Sequence, residues 1–283
     1  MIGQLSLWFS IKGKVSFVKI SIQNIRKHFL PALSFFGAKV GSTIFLEGTK
    51  TILGIFTTMA VVGLFSNSLQ IAMVVNAVIT ASNTVLIPYM SNLYNKTSEI
   101  ELIRKLEEVI HLQLYFTIAI MFGLLLINNS MVDWFFGESF KDIKLILPFM
   151  SVIPLLSTLH QGIATQYLVP KGKMKPYNVS MMLAMVVSLI LTSTLSPFIG
   201  IFGGVIGLLA GYLVLCVIRI SVLIKDTDFK FDTRRISICI ISGLTMLIII
   251  YFFTKEMPSR FITTMIQIIS GASLYFIMTW LLG

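Results

Sequence analysis

Lys39 stands near the middle of an apolar run, Phe29 to Leu46, and is followed by Thr43, Glu47 and Lys50. At 100° per residue these four side chains fall within one narrow sector of a helix. A lysine about ten residues past the Arg26-Lys27 pair lies ~15 Å deep, near the centre of a bilayer. Insertion there costs ~2.5–3.5 kcal/mol, so the charge needs compensation. Glu47 and Lys50, three apart, can pair with each other. Lys39 and Glu47 are ~12 Å apart along the axis, beyond direct contact. Lys39 therefore requires a water-filled cavity, a partner on another subunit or lobe, or an anionic substrate. The blander alternative is a lysine held by helix carbonyls or by a carboxylate elsewhere. Intramembrane charge is usually functional, which favours the cavity.

Other polar residues in apolar runs are weaker candidates. Asn76, Thr80 and Asn83 share one face of the next run, and Ser151, Thr158 and Thr165 recur at heptad spacing with Gln161 nearby. Such groups can line a polar passage, or they can hydrogen-bond between helices at ~0.6 kcal/mol each. Gly203, Gly207 and Gly211 form a small-xxx-small ridge suited to close helix packing. Arg219 is expected to snorkel toward the interface. There is no P-loop, zinc spacing or nucleophile elbow. Asp133, Glu138 and Asp142 would have to serve as any acid/base set, and exposed loop carboxylates are usually just solvated. Cys216 and Cys239 lie in apolar runs and imply neither a disulfide nor a metal framework.

These residues have to be positioned by membrane-spanning helices. The mean hydropathy is +0.90, and only 12% of the 283 residues are charged, about half the share in soluble domains. Eight apolar runs are long enough to span: 29–48, 64–88, 110–130, 143–168, 177–196, 201–224, 236–254 and 262–282. The net charge of +10 is concentrated in alternate connections, which fits loop orientation and anionic lipid and does not fit nucleic acid. Lysines and arginines before the first run, around 96–105, at 171–175 and at 225–235 mark one side as cytoplasmic and put both termini there. No signal peptide precedes the first run. Residues 1–28 read as an interfacial amphipathic connector, with Trp8, Ile11, Val15, Val18, Ile22 and Ile25 on one face. Residues 98–110 read as a second helix lying along the membrane, started by a Ser98–Glu101 capping box.

The stretch Lys14–Gly54, reading KVSFVKISIQNIRKHFLPALSFF and then FLEGTKTILG, resembles the Wzx-type polysaccharide flippases of the multidrug/oligosaccharidyl-lipid/polysaccharide exporter superfamily. Matches continue in order: VVGLFSNSLQIA, IPYMSNLY, FFGESFKDIKLIL, LVPKGKMKPYNVS and SPFIGIFGGVIG. The resemblance implies a MATE-like all-α membrane protein. Residues 29–225 would be the second six-helix lobe and 226–283 two additional helices, with the first lobe absent from this chain, as in a split or truncated transporter. It further implies flipping of an undecaprenyl-pyrophosphate-linked oligosaccharide across the bacterial cytoplasmic membrane for capsule, O-antigen or exopolysaccharide assembly. An anionic headgroup of that kind suits Lys39 and Lys50, and only Lys50 falls on a recurrent family position. No covalent chemistry and no cofactor are implied; the coupling ion, H+ or Na+, stays open. The missing lobe would come from another chain or from a second copy. Departures from the family pattern include Thr49 in place of an aspartate, and Ser188 and Thr192 where asparagines are common. A multidrug or cation antiporter lobe, an integral-membrane polymerase or acyltransferase, and an inactive remnant are the alternatives. The first should carry intramembrane carboxylates, and the second a large catalytic loop.

Overall fold

The computed structural model describes residues 22–96 and 98–283. Within them every regular element is helical. The chain runs α1 (Ile22–Thr43), a π turn (Ile44–Gly48), α2 (Thr49–Phe56), α3 (Met59–Lys96), α4 (Glu99–Phe136) and a 3₁₀ turn (Glu138–Phe140). It continues as α5 (Ile143–Met150), α6 (Ile153–Ile163), a second π turn (Ala164–Leu168), α7 (Met174–Ile199), α8 (Ile201–Asp226), α9 (Thr233–Thr254) and α10 (Phe261–Leu282). Among the described residues six stretches are long and apolar enough to cross a membrane. They are α4, the α5–α6–π-turn run Ile143–Leu168, α7, α8, α9 and α10, and they contain the six expected runs from 110 onward. A seventh is α3, if its halves Met59–Val74 and Ile79–Tyr94, bent by 48°, count as one span. The remaining expected run, 29–48, is not among these spans; it lies in the helical stretch 22–56, which carries Lys39, Glu47 and Lys50 and is divided by the π turn. The amphipathic connector expected over 1–28 falls outside the described residues, apart from its helical end at 22–28.

The helix expected to lie along the membrane over 98–110 is instead the first part of α4. Ser98 caps it, its hydroxyl accepting the Glu101 N–H at 3.4 Å. No proline or glycine interrupts the chain before Gly123, so the helix continues for 38 residues, about 57 Å at 1.5 Å per residue. That exceeds a bilayer core, and the charged first turns project beyond it. Leu102, Leu106 and Ile110 are buried there against the rest of the protein. Gly137, at φ +75°, ends the helix in the left-handed region open to glycine.

Two buried cores divide the molecule. One gathers Phe45 and Leu53 with Phe65, Ile143, Met150, Leu208 and Tyr212. The other joins Met90, Leu106, Phe122 and Tyr167 to Met246 and Tyr275 of the last two helices. α9 and α10 are thus packed on α4. Their seam carries a polar knot. The Ser130 hydroxyl donates to Gln267 Oε1, Gln267 Nε2 donates to Thr254 Oγ1 at 2.8 Å, and Trp134 Nε1 donates to Thr264 Oγ1 at 2.9 Å. Ser130 and Thr254 also reach carbonyls of their own helices, Ile127 and Ile250. Gln267→Leu therefore strands neither hydroxyl. It should cost only about 0.6 kcal/mol, the average for an interhelical polar contact in membranes, in denaturant unfolding in mixed micelles. A loss above about 2 kcal/mol would show the knot to be a main fastening of the last two helices.

α7 and α8 turn back on each other at Gly200, with φ +57°. A Cβ on Gly203 would stand 2.4 Å from Ser196 N, and one on Gly207 2.2 Å from Thr192 Oγ1. A Cβ on Gly211 would stand 2.3 Å from Phe45 Cε2 and 3.0 Å from the Ala184 carbonyl. The glycine ridge thus sets how closely the two helices approach, and it admits the Phe45 ring between them.

Candidate functional site

The side of α1–α2 that packs inward is Ala38, Gly41, Phe45, Thr49 and Leu53, all buried. Gly41 sits against Met181 and Gly48 against Leu189, which lets the helix lie close to α7. Phe45 meets the Tyr212 ring edge-on, with centroids 5.1 Å apart. The other side carries Lys39, Thr43 and Glu47, all exposed, with Lys50 half-buried beside them. Lys50 Nζ lies 2.8 Å from Glu47 Oε1. Lys39 makes no ion pair among the described residues.

The backbone under this side is irregular. The hydroxyls of Ser42 and Thr43 both donate to the Lys39 carbonyl, at 2.8 and 3.0 Å. The π turn Ile44–Gly48 follows at once and contains Glu47. Side-chain competition for a helix carbonyl loosens the ladder at that point, and single π turns recur at functional sites. A π turn also places one extra residue in the turn, which offsets later positions from the 3.6-residue spacing. Lys39 and Thr43 precede this break, Glu47 lies within it and Lys50 follows it. The chemistry available there is electrostatic: one unpaired ammonium, one exposed ion pair and a hydroxyl.

Asn76 and Asn83 are placed differently. Both are buried between helices. Asn76 Nδ2 donates to Ser157 Oγ at 2.7 Å, and Gln161 Nε2 donates to the same hydroxyl at 2.9 Å. Asn83 Oδ1 accepts from Gln113 Nε2 and from Gln166 Nε2, both at 2.8 Å. This amide seam ties α3 to α4, to α6 and to the second π turn, where Gln166 sits. Of its two readings, passage or interhelical bonding, the geometry is that of bonding. Gln113 and Gln166 had not been singled out, although an amide inside each apolar run was the available signal.

Arg219 departs from the expected snorkelling. It is 3% exposed and does not snorkel. Its Nε donates to Ser180 Oγ at 3.0 Å, and its Nη1 donates to the His160 carbonyl and faces His160 Nδ1, both at 3.0 Å. The Tyr177 ring covers the guanidinium at 4.9 Å. These contacts satisfy the side chain inside the bundle and block its route to the interface. His160 is its partner.

Thr49 and Ser188, two of the family departures, meet. Thr49 Oγ1 lies 3.0 Å from Ser188 Oγ and donates to the Phe45 carbonyl at 2.6 Å. A hydroxyl pair carries no charge at neutral pH, so this position adds no titrating carboxylate to the bundle.

The basic connections come together at one end of the bundle. Lys171 pairs with Glu99 at 3.0 Å, Lys173 pairs with Asp226, and the Lys230 N–H donates to Glu107 at 2.8 Å. Burial works against the charge of Lys171. The Glu99 hydrogen bond and the nearby Tyr167 outweigh it, and the pKa stands above the ordinary lysine value.

The apolar helices long enough to span define a multi-pass helical membrane protein. Among solved structures it is similar to the lipid II flippase MurJ in an inward closed conformation, with a TM-score of 0.67 at 16% identity over 99% of this chain and 60% of that one. This chain therefore spans 60% of the length of that protein. A family model for polysaccharide biosynthesis proteins matches residues 1–145, and the chain belongs to that family. No curated protein matches it.

Proposed function

We propose that the chain forms one lobe of a translocase for lipid-linked oligosaccharides. The exposed side of α1–α2, with Lys39, Thr43, Glu47 and Lys50, lines half of its central cavity. The observation that carries this reading is Lys39: a cation inside an apolar helix, exposed and without an ion pair among the described residues. In lipid such a charge is costly; facing the phosphate or acidic sugar of a passing headgroup it is useful. Family membership and the flippase fold support the same direction. The headgroup enters from the cytoplasmic leaflet of a bacterial cytoplasmic membrane, the side of the clustered basic connections. Translocation proceeds by rocking this lobe against an opposing one, supplied by a separate chain or a second copy. No bond is made or broken. An undecaprenyl-pyrophosphate carrier and a capsule, O-antigen or exopolysaccharide repeat are the finer reading, resting on the resemblance.

Reconstitution with the opposing lobe in vesicles tests it. A fluorescent lipid-linked oligosaccharide should cross, and Lys39→Ala and Lys50→Ala should each slow crossing about tenfold, the loss for one charge-assisted contact. Unchanged flux in both would remove the stripe from the translocation path.

A further inference from the structure

We propose that a cleft between α4, α9 and the end of α10 holds an anionic bilayer phospholipid. It lies away from the Lys39 side, since α1 packs on α7 while α9 and α10 pack on α4, and it does not rest on the translocation reading. A cavity of about 600 Å³ occupies the cleft. One end is polar, with Arg234 and Arg235 from the first turn of α9 and His111 from α4; the other end is apolar, with Leu114 and Ile118. A second cavity of about 310 Å³ shares Leu114, Ile118 and Ile236 with the first, and every residue around it is apolar, Met121 and Leu155 among them. The two together have a charged mouth at the end of the bundle where the basic connections meet, and a hydrocarbon interior.

The side-chain carboxylates at the mouth, Glu108 and Asp232, are already engaged, and Gly283 also lines the cavity. Glu108 is held by Lys105 and Arg104 at 2.6 and 3.4 Å. Asp232 caps α9 by accepting the Arg235 N–H at 3.0 Å, and it pairs with Arg235 Nε at 3.0 Å. His111 Nε2 accepts the Asp232 N–H at 2.8 Å, and its other ring nitrogen lies 2.7 Å from the Glu107 carbonyl. Arg234 is exposed and makes no ion pair among the described residues. Its guanidinium and the N-terminal dipole of a 22-residue helix both favour an anion here. A free phosphate would satisfy them but leave the apolar cavity unfilled. A phospholipid satisfies both parts, its phosphate at Arg234 and an acyl chain between Leu114, Ile118 and Ile236. Basic pockets between membrane helices at the headgroup level take anionic lipids for this reason.

Native mass spectrometry of the delipidated full chain, titrated with dioleoyl phosphatidylglycerol and in parallel with dioleoyl phosphatidylcholine, tests the site. Phosphatidylglycerol should bind more tightly. Arg234→Gln should weaken it about fivefold, the effect of one basic residue at a headgroup. Lys225→Gln, an exposed charge outside the cavity, should leave it unchanged. Ile236→Trp, which fills the wall shared by both cavities, should weaken both lipids. Equal affinity for the two lipids, no effect of Arg234→Gln, or an equal loss in Lys225→Gln would overturn the proposal. Displacement of phosphatidylglycerol by a stoichiometric lipid-linked oligosaccharide would assign the cleft to the transported lipid and overturn it as well.

Discussion

Gly207→Leu will destabilise the bundle by on the order of 3 kcal/mol or more, the upper range for overpacking a close interface. A Cβ alone would meet Thr192 Oγ1 at 2.2 Å, the Ser188 carbonyl at 2.8 Å and Thr192 N at 3.0 Å. Two of those atoms are backbone, which cannot turn aside as a side-chain tip can. The remaining leucine atoms must push α7 and α8 apart, and the separation would spread to the Phe45–Tyr212 contact beneath α1. Gly123→Ala is the comparison. No atom lies within 4 Å of a Cβ there, so the change should stabilise α4 by about 0.5–1 kcal/mol through the glycine's lost helix penalty. Denaturant unfolding of both variants in mixed micelles checks the pair. Similar midpoints for the two would mean that the ridge is not a packing interface.

Lys39→Glu should abolish measurable flux while leaving stability close to that of the parent chain. Lys39→Ala only removes a charge-assisted contact of about 1.5 kcal/mol, whereas reversal also adds a repulsion of at least that size. An anionic headgroup would then be excluded from the cavity. The side chain is exposed and unpaired among the described residues, so the fold loses little. Lys39→Arg keeps the charge and should retain most of the flux. Vesicle crossing of the fluorescent oligosaccharide lipid measures all three. Equal flux in Lys39→Glu and Lys39→Arg would show that Lys39 does not meet the headgroup.

Much of the fold was legible because it rests on local rules. Ser98 and Glu101 announced a helix start, and the Ser98 hydroxyl makes that cap. The glycine spacing pointed to a close crossing, and the clearances at Gly203, Gly207 and Gly211 are those of one. Glu47 and Lys50 were within pairing distance on any helix and do pair. What was not legible depends on tertiary contact. The π turns at Ile44–Gly48 and Ala164–Leu168 break the 3.6-residue period on which every facial assignment rested. The helix at 98–110 was read as lying along the membrane, yet nothing in the chain separates it from the span that follows. Arg219 was sent to the interface by a rule for isolated helices, whereas His160, Ser180 and Tyr177 converge on it from two other helices. Asn83 carried a signal, but its partners Gln113 and Gln166 come from distant parts of the chain.

The central claim is that Lys39 faces water and substrate in the translocation path. Cysteine labelling of Lys39→Cys in vesicles with a membrane-impermeant thiol reagent tests this most directly, because the thiolate that reacts forms only where water reaches. Cys216 and Cys239 are buried and should contribute little background. We expect rapid labelling at position 39, slowed by the lipid-linked oligosaccharide, and none at Leu244→Cys, which lies exposed near the middle of α9. A cysteine at 39 as unreactive as one at 244, or labelled at a rate the oligosaccharide lipid does not change, would contradict the account.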